Sequence, residues 1–167
     1  NSSRLENFPI EQWNKDIEVS LTGSFICSKH YGSRISENKK GGSIVNISSD
    51  LGLIGPNQKI YADAKSPEED QPVKPISYSV VKTGLIGLTR YLATYWADKN
   101  VRCNALAPGG VQTSQDEIFI ERLESLIPLG RMANWSDYNG SILFLASDAS
   151  KYMSGSNLVI DGGWTAW

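Results

Sequence analysis

The sequence is poor in the residues that build metal centres: one histidine, His30, and two cysteines, Cys27 and Cys103, among 167 residues. One imidazole and two distant thiols cannot assemble a tetrahedral His/Cys site, so no metal ligands are assigned. The same scarcity argues against a disulfide scaffold and for a reducing, cytoplasmic setting with two packed thiols. His30 has no G-x-S-x-G elbow to serve, which leaves a surface or interface histidine on a helix rather than a hydrolase triad. Sixteen basic residues against eighteen acidic ones leave a net charge of -2, without the basic footprint of a general nucleic-acid binder. No apolar run reaches the roughly eighteen residues of a membrane-spanning helix. The opening Asn1-Ser2-Ser3-Arg4 holds neither an apolar signal region nor an initiating Met, which points to a chain that begins inside a longer one.

What is present is ordinary for a globular fold: 40% hydrophobic and 20% charged residues, and a length of about one domain. Trp13, Ile17, Leu21 and Phe25 recur every four residues after Pro9, which predicts a first long helix from about Ile10 to about Asn38. Ser43-Ile44-Val45-Asn46-Ile47 is a β-branched run of the kind found in parallel strands covered on both faces. The polar stretch from Ala64 to Pro75 carries Pro67, Pro72 and Pro75, which forbid a regular helix or central strand there. A second long helix is expected from near Ser77 to about Asp98, with Val81, Leu85, Leu88, Leu92 and Tyr95 as its apolar stripe. Gly84 and Gly87 flank that stripe where another helix could come close. Val101–Leu106 reads as a strand cut off by Pro108-Gly109-Gly110, Asp116–Ile127 as a short amphipathic helix, and Ser136 as the N-cap of a helix through Leu145. Asn157–Ile160 is a last strand, stopped by Asp161-Gly162-Gly163. Alternating strands and helices predict an α/β fold with a parallel sheet, all three strands buried and the ligand crevice beyond their carboxyl ends.

A tyrosine and a lysine four apart share one helical face, where the ammonium makes the phenol a usable general acid or base. Three pairs have this spacing: Tyr61/Lys65, Tyr78/Lys82 and Tyr95/Lys99. Tyr95/Lys99 closes the second helix, where Lys99 complements the helix dipole and Tyr95 belongs to the apolar stripe. Tyr61/Lys65 borders the proline-rich loop and stands as the rival pair. Tyr78/Lys82 opens a long, well-patterned helix that would hold both groups rigidly, and it is the favoured pair.

Three ordered motifs carry a resemblance: Ser43-Ile44-Val45-Asn46-Ile47-Ser48-Ser49, Tyr78-Ser79-Val80-Val81-Lys82-Thr83-Gly84, and Asn104-Ala105-Leu106-Ala107-Pro108-Gly109. With the ending Gly155–Gly163, the chain from about Leu5 to Gly163 resembles the short-chain dehydrogenase/reductase family. The resemblance implies the C-terminal part of a doubly wound, NAD(P)-binding Rossmann fold, one partial domain over residues 1–167. It implies hydride transfer between NAD or NADP and a carbonyl or secondary alcohol. Tyr78 would be the acid/base. Lys82 would assist it and hold the nicotinamide ribose, and Ser49 would hydrogen-bond the substrate oxygen. Pro108, Gly109, Val111 and Thr113 would lie against the nicotinamide and its phosphates. The family pairs its two long helices with a neighbour's, so the resemblance also implies a homodimer or homotetramer.

Departures from the pattern are as informative. Ser20 stands where the family places the asparagine that supports a proton-relay water. The separation of Ser49 from Tyr78 exceeds the family's usual spacing, which marks about residues 62–76 as an insertion at the substrate entrance. A similar insertion in members of surface-polysaccharide and sialic-acid-like sugar pathways implies a sugar-derived substrate. No G-x-x-x-G-x-G turn precedes a helix anywhere in the sequence, so the phosphate cradle is expected before Asn1. With it would go the family's first four strands, leaving Ser43–Ile47 without an inner neighbour. Family members run to roughly 250 residues, and the chain then amounts to about two-thirds of one domain. The alternative is a truncated, non-catalytic homologue that oligomerises through its long helices. An extended-branch sugar-nucleotide epimerase shares the Tyr-Lys pair, but its larger C-terminal domain has no room here.

Overall fold

The computed structural model describes residues 3–167; Asn1 and Ser2, part of the polar amino terminus, lie outside them. Strands β1 (Gly42–Ile47), β2 (Val101–Pro108) and β3 (Asn157–Ile160) form one parallel sheet in the order β1-β2-β3. Gly42 pairs with Val101 and Ile47 with Leu106, while Ala105 pairs with Asn157 and Pro108 with Ile160. Around the sheet lie a long helix α1 (residues 10–36), α2 (Ile76–Tyr95), the short α3 (Glu117–Glu124) and α4 (Asn139–Ala146). No helix among the described residues is long and apolar enough to cross a membrane.

Alternation along the strands places helices on both faces of the sheet. Val101 and Cys103 of β2 pack with Leu92, Ala93 and Trp96 of the α2 end, together with Ile44 of β1 and Ile35 of α1. The intervening residues face the other way. Ser43 Oγ donates to Leu145 O at 2.7 Å, and Arg102 Nη2 donates to the same carbonyl at 3.2 Å, both at the end of α4. β2, paired on both edges, is the buried centre of the core: Cys103, Asn104, Ala105 and Ala107 have no exposed surface. Asn104 meets its polar needs there by donating to Met153 O at 2.8 Å and accepting from Ser156 N at 3.1 Å. β1 and β3 are only partly covered, contrary to the expectation of three buried strands. The outer edge of β1 has no partner among the described residues, and Ile47 at its end is 45% exposed.

Helix boundaries follow local chemistry. α1 contains two wider π-type turns, Ile17–Thr22 and Ser28–Gly32, and its expected stripe is only partly covered. Leu21 lies where a Cβ on Gly84 would come within 3.1 Å, the close approach expected of that glycine, whereas Gly87 has open space and Phe25 is exposed. α2 stops at Tyr95 rather than near Asp98. Its buried stripe drifts around the helix to end on Trp96, while Tyr95 stacks on Tyr91 in solvent with ring centroids 5.5 Å apart. Asn100 then turns the chain into β2 with φ 55°, and its carbonyl sits 1.9 Å from where a Cβ on Gly41 would be. That contact and a φ of 70° make glycine the residue Gly41 has to be.

The segment leading into the helix before β3 is capped two residues earlier than expected, and the α-helix itself starts later. Asn134, not Ser136, is the cap: its Oδ1 accepts Ser136 N at 3.0 Å, and Asp137 Oδ2 accepts Asn134 N at 2.8 Å. A 3-10 turn at Trp135–Tyr138 then leads into α4. Of the two cysteines, only Cys103 is packed, and burial pushes its thiol up to about 12; Cys27 is exposed.

Candidate active site

The carboxyl ends of β1 and β2 open onto a cavity of about 410 Å³. β1 delivers Ser48 and Ser49 into it, and the strand's chain then folds into a tight turn at Asp50–Gly52. Ser49 starts that turn with extended backbone, its Oγ accepting Leu51 N at 3.2 Å. The first turns of α2 deliver Tyr78 and Lys82, which share a face because they are four residues apart.

Three contacts lock the end of β1 and the turn after it to the helix. Ser48 Oγ donates to Lys82 O at 2.7 Å, Thr83 Oγ1 donates to Gly52 O at 3.0 Å, and Lys82 Nζ donates to Ile47 O at 3.0 Å. Within this frame Tyr78 Oη donates to Ser49 Oγ at 3.4 Å, and the Lys82 ammonium lies 5.6 Å from the Tyr78 ring centroid. Burial holds the Lys82 ammonium below its ordinary pKa, and the nearby positive charge of Lys74 acts in the same direction. A phenol, a hydroxyl and an ammonium thus converge on one wall of a cavity at a strand end.

The opposite wall comes from β2. Pro108, Gly109 and Val111 line it, and Gly109 is held by donating its N–H to Ile160 O at 2.9 Å. Tyr138 Oη donates to Gly109 O at 2.9 Å, which ties the strand end to the segment before α4. Leu51, Ile60, Leu123, Met132 and Trp164 form the apolar floor.

Not every sequence candidate arrives here. Thr113 is exposed outside the cavity, its N–H donating to Gln115 Oε1 at 2.7 Å, and Gln115 lines the cavity in its place. Ser20 lines a separate cleft of about 630 Å³ between α1 and β1, where it shares walls with Asn46, Ile47 and Lys82. Ile47 and Lys82 are common to cleft and cavity, and of the two only Lys82 brings a charged group. Of the rival pair, Tyr61 does reach the cavity, but Lys65 is exposed in the loop and shares with Tyr61 only a second hollow on the loop side. Burial pushes the Tyr61 phenol up to about 12, with Asp50 and Tyr78 adding to the effect. Lys99 pairs with Asp98 at 3.3 Å in the 3-10 turn beyond the C-terminal end of α2.

Two residues that sequence reasoning did not single out complete the site. Asp50 is 3% exposed; its Oδ1 accepts Ser49 Oγ at 2.6 Å and Leu51 N at 2.7 Å, while Oδ2 has no partner. Lys74, at the end of the proline-rich stretch, sets its ammonium 3.8 Å from the Tyr78 ring centroid. Neither carries a motif, and both acquire meaning only from burial against Ser49 and Tyr78.

The Asp50 carboxyl is raised above its ordinary pKa, chiefly by burial, against the hydrogen bonds from Ser49 and Leu51 that favour its charged form. The folded chain therefore keeps this proton to higher pH than the unfolded chain, whose aspartates titrate near about 3.9. Stability falls as pH rises through the interval between those two values. The unfolding free energy of the protein minus that of Asp50→Asn is expected to decline as pH rises above about 4, measured by urea denaturation across a pH series. A difference independent of pH would show that Asp50 titrates normally.

Comparisons with known proteins bear on the family and the fold. A family model described as enoyl-(acyl carrier protein) reductase matches residues 1–70 and 71–165. The chain is 37% identical over 159 residues to the NADP-dependent mannitol dehydrogenase of Alternaria alternata, a match covering 93% of this chain and 54% of that protein. It is 36% identical over 175 residues to the ribulose-forming D-arabinitol 2-dehydrogenase of Candida tropicalis, covering 97% and 57%. A crystal structure of a short-chain dehydrogenase from Leptospira borgpetersenii serovar Hardjo-bovis, with bound NAD+, aligns with a TM-score of 0.86 at 36% identity, covering 96% and 59%. The chain spans little more than half the length of these relatives.

Proposed function

The chain belongs to the short-chain dehydrogenase/reductase family, and on that premise we propose that it carries the acid/base and substrate side of an NAD(P)-dependent dehydrogenase acting on a small, hydroxyl-bearing alcohol and its carbonyl form. The observation that carries this reading is the convergence of Tyr78, Ser49 and Lys82 at the strand ends, with Tyr78 Oη 3.4 Å from Ser49 Oγ. When bound, the nicotinamide supplies or accepts the hydride. Tyr78 gives or takes the proton, so that alcohol and oxidised cofactor balance carbonyl, reduced cofactor and one proton. Ser49 holds the reacting oxygen, and Lys82 keeps a positive charge beside the phenol as its proton leaves.

The residues present fit the nicotinamide end of such a cofactor. Lys82 spends one N–H on Ile47 O, leaving two donors for vicinal ribose hydroxyls. Pro108, Gly109 and Val111 give a wall of small side chains on which a flat ring can lie. Ser20, beside Lys82 in the neighbouring cleft, is the candidate to pass the proton onward. The relatives named for mannitol and arabinitol support a polyhydroxylated, sugar-derived substrate. Exposed Val19, Phe25 and Ile26 on α1 and Tyr91 and Tyr95 on α2 support pairing of these helices with a second copy of the chain.

The test is direct. The full-length protein, given NAD+ or NADP+ and a panel of polyols, hydroxy acids and simple secondary alcohols, is expected to reduce the nucleotide saturably. Absence of reduction with both nucleotides across the whole panel overturns the reading.

A further inference from the structure

The Lys74 ammonium is half-buried against the catalytic wall, yet it has neither an ion pair nor a hydrogen bond among the described residues. Its contact is the face of the Tyr78 ring, 3.8 Å from the centroid. A cation held over an aromatic face is satisfied electrostatically but keeps its N–H donors free. Burial lowers its pKa, the Asp50 carboxyl partly offsets this from a distance, and an anion arriving in direct contact would stabilise the charged form further.

The charges around it favour such an anion. Lys74 and Lys82 both line the cavity, against the single carboxyl of Asp50. That carboxyl does not pair with either lysine; its Oδ1 is taken by Ser49 and Leu51. Two amino groups therefore face the space in front of Tyr78 against one carboxyl, and neither is ion-paired with it.

Geometry sets the distance between the anion and the reacting centre. The phenol oxygen and the ammonium are both anchored to the Tyr78 ring, one at its edge and the other above its face. A molecule whose carbonyl oxygen meets Tyr78 Oη and whose anionic group meets Lys74 needs only one or two carbons between them. We propose that Lys74 recognises a substrate carboxylate, and that the compounds turned over are 2- or 3-hydroxy acids and the matching oxo acids. The proposal rests on the dehydrogenase reading of the same cavity and narrows its substrate class.

The experiment uses the full-length protein with both nucleotides. Two- and three-hydroxy acids of three to six carbons are compared with their primary amides and with alditols of the same length. Acids are expected to exceed their amides in kcat/KM by about 100-fold, the scale set by leaving a buried charge unpaired. Lys74→Met is expected to collapse that ratio toward unity, mainly through KM, and Lys74→Arg to restore most of it. Binding of the preferred acid, titrated through tryptophan fluorescence without nucleotide, should weaken in Lys74→Met by a similar factor; Trp164 lines the cavity and can report it. Equal turnover of acids and amides, or a Lys74→Met loss shared by both, overturns the carboxylate assignment while leaving the dehydrogenase intact. No turnover of any acid, amide or alditol overturns the dehydrogenase reading instead.

Discussion

Replacing Tyr78 with Phe in the full-length protein is expected to lower kcat/KM by about 1,000-fold or more, while Tyr61→Phe retains most of its turnover. The change deletes one oxygen. In the structure that oxygen makes a single long hydrogen bond, 3.4 Å to Ser49 Oγ, and supports no part of the core. The ring stays in place against the apolar floor and under Lys74, so the melting temperature should hardly move. A large loss of rate with little loss of stability identifies an oxygen used in the reaction rather than in the fold.

Tyr61 makes the comparison sharp because it lines the same cavity. Its phenol is pushed up to about 12 by burial and by the neighbouring Asp50, so it holds its proton throughout the neutral range. Its candidate ammonium, Lys65, is exposed and does not line the cavity. Tyr78 has two ammonium groups near its ring and a hydroxyl in line with its own oxygen. Loss of turnover in Tyr61→Phe with activity kept in Tyr78→Phe would transfer the role to the rival.

Much of this arrangement is legible in the sequence because it rests on spacing. Three short runs, each bounded by turn residues, give the three strands to within a residue or two, and the four-residue separation of Tyr78 from Lys82 gives their common face. Pro67, Pro72 and Pro75 announce an irregular stretch, which holds only a 3-10 turn at Glu68–Asp70. Readings that depend on which way a side chain turns are not legible in this way. Tyr95 and Trp96 are adjacent aromatics at the end of one helix, and only the packing of Trp96 against Gly32 decides which is buried. Ser136 and Asn134 are both good caps, and the choice lies in a 3-10 turn that precedes the helix. Asp50 in a polar loop reads as a solvated acid, and its burial follows from the turn that folds it under Ser49. Lys74 reads as one charge in a loop until α2 places Tyr78 beneath it.

The turn that carries Ser49 is also the site of the second large effect. Gly52 sits where an added Cβ would lie 2.7 Å from Ser48 Oγ and 3.0 Å from the backbone carbon and oxygen of Lys82. Two of those three neighbours are main chain of α2, which cannot rotate aside as a side chain can. The same interface holds the Ser48–Lys82 and Thr83–Gly52 hydrogen bonds that set the turn against the helix. Gly52→Val must therefore push the turn away from α2, stretching both bonds and withdrawing Ser49 from Tyr78. Overpacking of this kind costs about 3 kcal/mol of stability. A displacement near 1 Å between reacting groups is enough to cost about 100-fold in turnover. Gly55→Val is the matched control: Gly55 is exposed three residues further along, and a Cβ there meets nothing within 4 Å. Urea denaturation should separate the two variants, and the Gly52→Val protein that remains folded should show its loss chiefly in kcat. Near-normal stability and turnover in Gly52→Val would mean that the turn does not bear on α2 as tightly as the structure has it, and that Ser49 and Tyr78 are held together by other contacts.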